Sequence, residues 1–193
     1  MMALLQSWLV RIYCMEMLDI VCWGIVLTMV FLAARDRYQC CRWAKALLVL
    51  GFVCTIAIIF YATIVNRSND HTLSVNLIPL HSYREVWAGG HPELYRSNFM
   101  NAALFYPSGL LLTCLLPPKW PGWCKCLLVV IALGVFSAGI EYLQYCYALG
   151  QVEIDDVIHN TAGALAGSLA ALLISPCIVL ATKKIAQMRN REG

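Results

Sequence analysis

Residues 46–65 and 161–182 contain no Asp, Glu, Lys or Arg, and residues 127–149 contain a single charged side chain, Glu141. Runs of about 20 apolar residues suit the interior of a bilayer, where water is absent and a helix satisfies its own backbone N–H and C=O groups. Two further stretches qualify: residues 17–34, with Asp19 near the start, and residues 99–118, uncharged but interrupted by Pro107. The expected fold is therefore all-α, a multi-pass transmembrane bundle of about five spanning helices in one domain over residues 1–193. The composition agrees: 61% hydrophobic and 13% charged residues depart far from a soluble average.

The N-terminal end offers two readings. Leu4, Leu5, Trp8, Leu9, Ile12 and Met15 fall on one helical stripe, which suits a helix lying in the interface or an extension of the first span. Only Arg11 is basic there and the segment runs into a full-length apolar stretch, so no cleaved signal peptide is expected.

Basic residues orient the spans. Arg35, Arg37, Arg42 and Lys45 lie between spans one and two, Lys119 and Lys125 between three and four, and Lys183, Lys184, Arg189 and Arg191 after span five. The opposite side receives only Arg11, Arg67, Arg84 and Arg96, which places the N-terminus outside and the C-terminus in the cytoplasm. Two exterior segments result, residues 66–98 and 150–160. The longer one, with Pro79, Gly89, Gly90 and Pro92 among Tyr83, Trp87 and Tyr95, reads as an ordered or membrane-hugging loop. A net charge of +3 carried at helix ends describes membrane orientation and gives no face for nucleic acid.

None of the ten cysteines falls in an exterior segment, so no disulfide framework is expected. Cys40, Cys41, Cys124 and Cys126 share the cytoplasmic side, but adjacent thiolates suit tetrahedral zinc poorly. His81, His91 and His159 show no ligand spacing, and solvated or interfacial histidines are the expectation. Neither a metal nor another cofactor is expected.

The polar residues inside the apolar stretches converge. Ser137, Glu141 and Gln144 stand at i, i+4 and i+7, on one face near the outer end of span four. A carboxylate in a membrane helix costs a few kcal/mol and usually faces protein or a wet cavity, although a shallow Glu141 could also reach the headgroups. Asp156, Asn160, Gly163 and Gly167 share one face of span five, and the G-x-x-x-G pair lets another helix approach, in the simplest arrangement span four. Asp155 is read as an N-terminal cap of its own helix. Asn101 opens span three, with Ser108 deeper on the same face and a kink at Pro107 between them. With Asn76 and Pro79 from the preceding loop and Arg84 or Arg96 as counter-ions, the outline is an acid-amide pocket open to the outer leaflet.

These segments resemble the VanZ-like family of bacterial membrane proteins. Its pattern appears as Asn76-Leu77-Ile78-Pro79, then Asn101 to Gly109 with Pro107, then Ser137 to Gln144 around Glu141, then Asp156 to Gly163 with Asn160. All four blocks occur in order. Two departures stand out: Gly150-Gln151-Val152-Glu153 lacks the Arg that usually precedes the acidic pair, and Leu80 replaces a usual Phe. The resemblance implies a role in the bacterial cell envelope, the namesake giving resistance to the glycopeptide teicoplanin, and does not imply a proven enzyme.

Three functions compete. In the first, a site at the outer leaflet binds or modifies a cell-wall precursor, an anchored polymer or a lipoglycopeptide, with Glu141 and Asp156 as acid and base if catalysis occurs. Asn76, Asn101, Ser137, Gln144 and Asn160 would then position substrate. In the second, the chain is a non-catalytic assembly partner whose small-residue face docks another membrane protein or a second copy. The third, a small transporter, needs polar residues through the bilayer depth or internal repeats, and the chain has neither.

Overall fold

The computed structural model describes residues 42–65, 73–88 and 93–189, with their side chains over 45–65, 73–88 and 93–173. The expected first span at 17–34, the N-terminal stripe, Cys40, Cys41 and His91 lie outside the described residues.

Helix α1, Arg42–Phe60, continues through a π-helical turn, Tyr61–Val65. Its membrane-length part, Lys45–Val65, has 21 residues, which at 1.5 Å per residue is about 32 Å, the thickness of a hydrocarbon core. A short strand β1, Ser74–Asn76, leads to the two-turn helix α2, His81–Trp87, and then to α3, Glu93–Leu115. Helix α4, Gly122–Cys146, with 25 residues, is the second helix long and apolar enough to cross a membrane. Strand β2, Gln151–Glu153, runs straight into α5, Ile154–Arg189. Both α1 and α4 expose apolar side chains along their length, among them Leu47, Leu50, Val53, Leu127, Ile131 and Val135. Helices of this kind need an apolar solvent on their outer face.

Helices dominate, but the all-α expectation requires one correction. Strands β1 and β2 pair in parallel, in the register Ser74↔Gln151, Val75↔Val152, Asn76↔Glu153. Parallel strands need a long crossover connection, and here α2, α3 and α4 supply it. Each strand is only three residues long, so neither shows an alternating pattern long enough to read.

The expected loop at 66–98 also contains more structure than anticipated: β1, α2 and the first turns of α3. Leu80, at φ 58°, takes the left-handed conformation just before α2, and Ala148 and Gly150 do so between α4 and β2.

Helices α3 and α5 pack at backbone contact. A Cβ added at Gly163 would overlap the Ala102 carbonyl, one at Gly167 the Tyr106 carbonyl, and one at Gly109 the Ala164 carbonyl. This corrects the expected partner of the G-x-x-x-G pair, which meets span three rather than span four. Gly109 on α3 answers the two glycines of α5, whereas α4 presents Gly134 to the Thr161 side chain. Around this seam Ile59, Phe105, Val129, Leu133, Ile140 and Ala164 form one buried cluster. Leu48, Leu110, Leu111 and Ala171 form another.

Candidate functional site

The polar face of α4 is buried: Ser137, Glu141 and Gln144 are all enclosed. Each meets a different element. Asn160 on α5 donates from Nδ2 to Ser137 Oγ at 2.8 Å. The backbone N–H of Glu153, at the end of β2, donates to Glu141 Oε2 at 3.0 Å. Gln144 donates from Nε2 to the Thr63 carbonyl at 3.0 Å, in the π-helical end of α1. A π-helical turn displaces the usual i−4 pairing, and here a side chain from another helix reaches one of its carbonyls.

Asp156 lies one turn before Asn160. Its Oδ1 accepts a 2.6 Å hydrogen bond from Asn101 Nδ2, which ties α3 to α5 by a charge-assisted contact. The structure thus brings Asn101, Ser137, Glu141, Gln144, Asp156 and Asn160 to one end of the helices, beside the parallel strand pair.

Asn76, Pro79, Arg84 and Ser108 make their contacts elsewhere or face solvent. Asn76 turns its Oδ1 to the N–H of Ile78 at 3.1 Å, closing a local turn, although its backbone pairs with Glu153 in the strand register. Pro79 is exposed in the turn before α2. Arg84 and Arg96 are exposed on α2 and α3, and among the described residues no hydrogen bond joins Arg84 to the cluster. Ser108 bonds Thr55 Oγ1 on α1 at 2.9 Å, so it faces away from the polar end. Pro107, inside α3, removes the N–H that would meet the Ala103 carbonyl.

A second polar group was not anticipated. The Asp155 carboxylate accepts the N–H of Leu80, the N–H of Ser82 at 2.9 Å and the hydroxyl of Ser82 at 2.6 Å. Asn98 Nδ2 donates in turn to Ser82 Oγ at 2.9 Å. Asp155 therefore caps α2, 73 residues away, instead of its own helix as expected. Burial pushes its carboxyl up, but the Ser82 and Leu80 hydrogen bonds and the nearby His159 outweigh this and hold it below the usual carboxylate range.

His159 is buried, against the expectation of a solvated ring. Its Nδ1 faces the Asp155 carbonyl, which only accepts, so Nδ1 carries the hydrogen. In the neutral ring Nε2 is then left to accept from the Tyr83 hydroxyl at 2.9 Å. Tyr83 also meets Tyr95 edge-on, with ring centroids 5.7 Å apart. The sequence signal for this group was weak: an Asp-Asp pair at a helix start reads equally well as an ordinary cap.

Metal binding gains no geometry here. Among the described residues no three His, Cys, Asp or Glu side chains gather as a metal site. Cys126 instead takes a 3.4 Å contact from the Ser168 hydroxyl.

A protein-family model described as VanZ/LLP1 matches residues 43–175. The chain belongs to the VanZ/LLP1 family. No curated protein and no solved structure matches it. All four motif blocks lie within the VanZ/LLP1 match, as do α3, α4, the polar part of α5 and α1 from its second residue on. Membership in this family, together with two helices of spanning length and composition, makes the chain a membrane protein.

Proposed function

We propose that this VanZ/LLP1 protein is a five-span protein of the bacterial plasma membrane, with its N-terminus outside, whose polar cluster engages a lipid-linked component of the cell envelope at the outer leaflet. The distribution of basic residues supports that orientation, and the pairing of β1 with β2 supports placing both intervening segments on one side. One observation carries the functional reading. Glu141, in an apolar helix, is buried against the N–H of Glu153 and flanked on its own face by Ser137 and Gln144. An acid held there at a cost of a few kcal/mol is more than a filler of space.

Engagement of a glycopeptide drug, or of the precursor such a drug binds, would account for a teicoplanin-resistance role. Glu141 and Asp156 are the acid and base of any reaction at this site, with Asn101 and Asn160 as positioning residues. Glu141→Gln and Asp156→Asn test the proposal in cells, read by glycopeptide susceptibility and by the profile of lipid-linked precursors. The expected outcome is loss of the phenotype at unchanged protein level in the membrane. An unaltered phenotype in both variants overturns it.

A second reading has its own support. Asn101–Asp156 and Asn160–Ser137 tie α3 and α4 to α5, as a purely structural cluster in an assembly partner would. Under that reading Glu141→Gln gives a protease-sensitive protein and no selective loss.

A further inference from the structure

Between α1 and α3 the chain turns apolar side chains outward. Leu73, Val75, Leu77, Ile78, Leu80 and Trp87 are all exposed, Leu77 at 67% and Trp87 at 80%. Leu77-Ile78-Pro79-Leu80 is exposed without a break, and residues 73–80 contain no charged side chain. Apolar residues scattered singly over a surface need no reason, but a contiguous group marks a contact with a membrane, a ligand or another protein.

The place of this group in the molecule selects among those contacts. β1 pairs with β2, which follows the end of α4 and leads directly into α5. The N–H groups of Leu80 and Ser82 are held by the Asp155 carboxylate in the first turn of α5. The end of α1 lies at the same level, since Gln144 near the end of α4 donates to the Thr63 carbonyl. There the two helices of spanning length expose Tyr61, Val65, Tyr142 and Tyr145, and tyrosines of this kind collect where a span leaves the hydrocarbon. The apolar run therefore continues a surface that the bilayer covers.

Helix α2 is turned to suit that boundary. Ser82 and Tyr83 face inward, to Asp155 and His159, while Arg84 and Trp87, three residues apart on one side, are exposed. An indole among the upper acyl carbons and a guanidinium at the phosphates suit the headgroup zone. Deeper insertion is excluded by the backbone. Among the described strands β1 pairs on one edge only, so the N–H and C=O groups of its other edge need water or headgroups, which the hydrocarbon core lacks.

We infer that residues 73–87 form a membrane-surface element, with Leu77, Ile78 and Leu80 inserted among the headgroups and upper acyl chains of the leaflet at the polar end of the helices, and Trp87 anchoring α2 beside them. Elements of this kind reach about 5–10 Å into a leaflet. Because Asp155 fastens the element to α5, it also fixes the depth at which the neighbouring Asp156 stands. The inference goes beyond the proposed role of the polar cluster and does not depend on it.

The test places a photoreactive benzophenone side chain at position 77, or at 87, of the full chain in phosphatidylcholine nanodiscs, and lipid adducts are measured by mass spectrometry. Position 131, on the exposed apolar side of α4, is the reference for lipid contact, and position 119, in the exposed turn between α3 and α4, is the polar control. Positions 77 and 87 should give yields comparable with 131 and about tenfold above 119. Leu77→Asp and Ile78→Asp together should lower the adduct at 87 several-fold while leaving thermal unfolding unchanged, since both side chains are exposed. A yield at 77 no higher than at 119 overturns the inference, and so does an adduct at 87 that the double replacement leaves intact. Adducts in cells that join position 77 to another protein, with no lipid adduct in the discs, also overturn it and give the surface to that partner. Glu141 and Asp156 take no part in these readouts, so a failure here and a failure of the proposed envelope role are separate results.

Discussion

Asp155 and Ser82 are joined twice: the Asp155 carboxylate accepts both the backbone N–H of Ser82, at 2.9 Å, and its hydroxyl, at 2.6 Å. With the Leu80 N–H this makes three hydrogen bonds on one carboxylate, at the N-terminus of α2 where negative charge is favoured. Through them the segment before α3 is fastened to the start of α5, beside the parallel strand pair.

Replacing Asp155 with Ala should destabilise the protein by about 3 kcal/mol, because two backbone donors and a hydroxyl lose a charged acceptor. Thermal unfolding in detergent measures this. The native carboxyl lies below its ordinary value, so its contribution is complete above the unfolded pKa of about 3.9 and is lost as pH falls through the folded value. Stability below pH about 4 should therefore fall more steeply in the native protein than in Asp155→Asn.

Gly163→Ala and Gly109→Ala should each cost about 3 kcal/mol or prevent folding, since the new methyl would meet a backbone carbonyl that cannot move alone. Gly139 is the control. It lies in α4 with nothing within 4 Å of an added Cβ, so Gly139→Ala should be neutral or stabilising by about 0.5–1 kcal/mol. Comparable losses at Gly139 and Gly163 would contradict the close α3–α5 packing.

The Asn101–Asp156 contact should show a coupling energy of about 1.5–3 kcal/mol in a double-mutant cycle with Ala at each position. Unfolding of the four proteins in one detergent supplies the numbers. Additive losses would mean that the two side chains do not share a bond.

Tyr83→Phe should cost about 1 kcal/mol, by removing the hydroxyl that donates to His159 Nε2 while keeping the ring contact with Tyr95. Amide exchange should accelerate in α2 and remain unchanged in α4, because α2 carries the hydroxyl and α4 does not take part.

Helix locations were legible because hydropathy is a local property. The uncharged run at 46–65 became α1, and 127–149 became α4, each within a few residues at its ends. The gathering of Ser137, Glu141 and Gln144 on one buried face followed from helical spacing alone. What escaped was which residue meets which across segments. Nothing near Gly163 says whether α3 or α4 will carry the matching glycine, and Asp155 looks like an ordinary cap until Ser82 is seen beside it.

By itself the sequence determined the apolar helices and the faces on which their polar groups stand, since both follow from residue type and a 3.6-residue period. Only the tertiary structure decided that Gln144 would meet the end of α1, that Glu141 would hold the N–H of Glu153, and that β1 and β2 would run side by side. Those contacts join residues whose separation along the chain is unrelated to their distance in space, and they form because a buried polar group takes whichever partner the packing of the helices brings within reach.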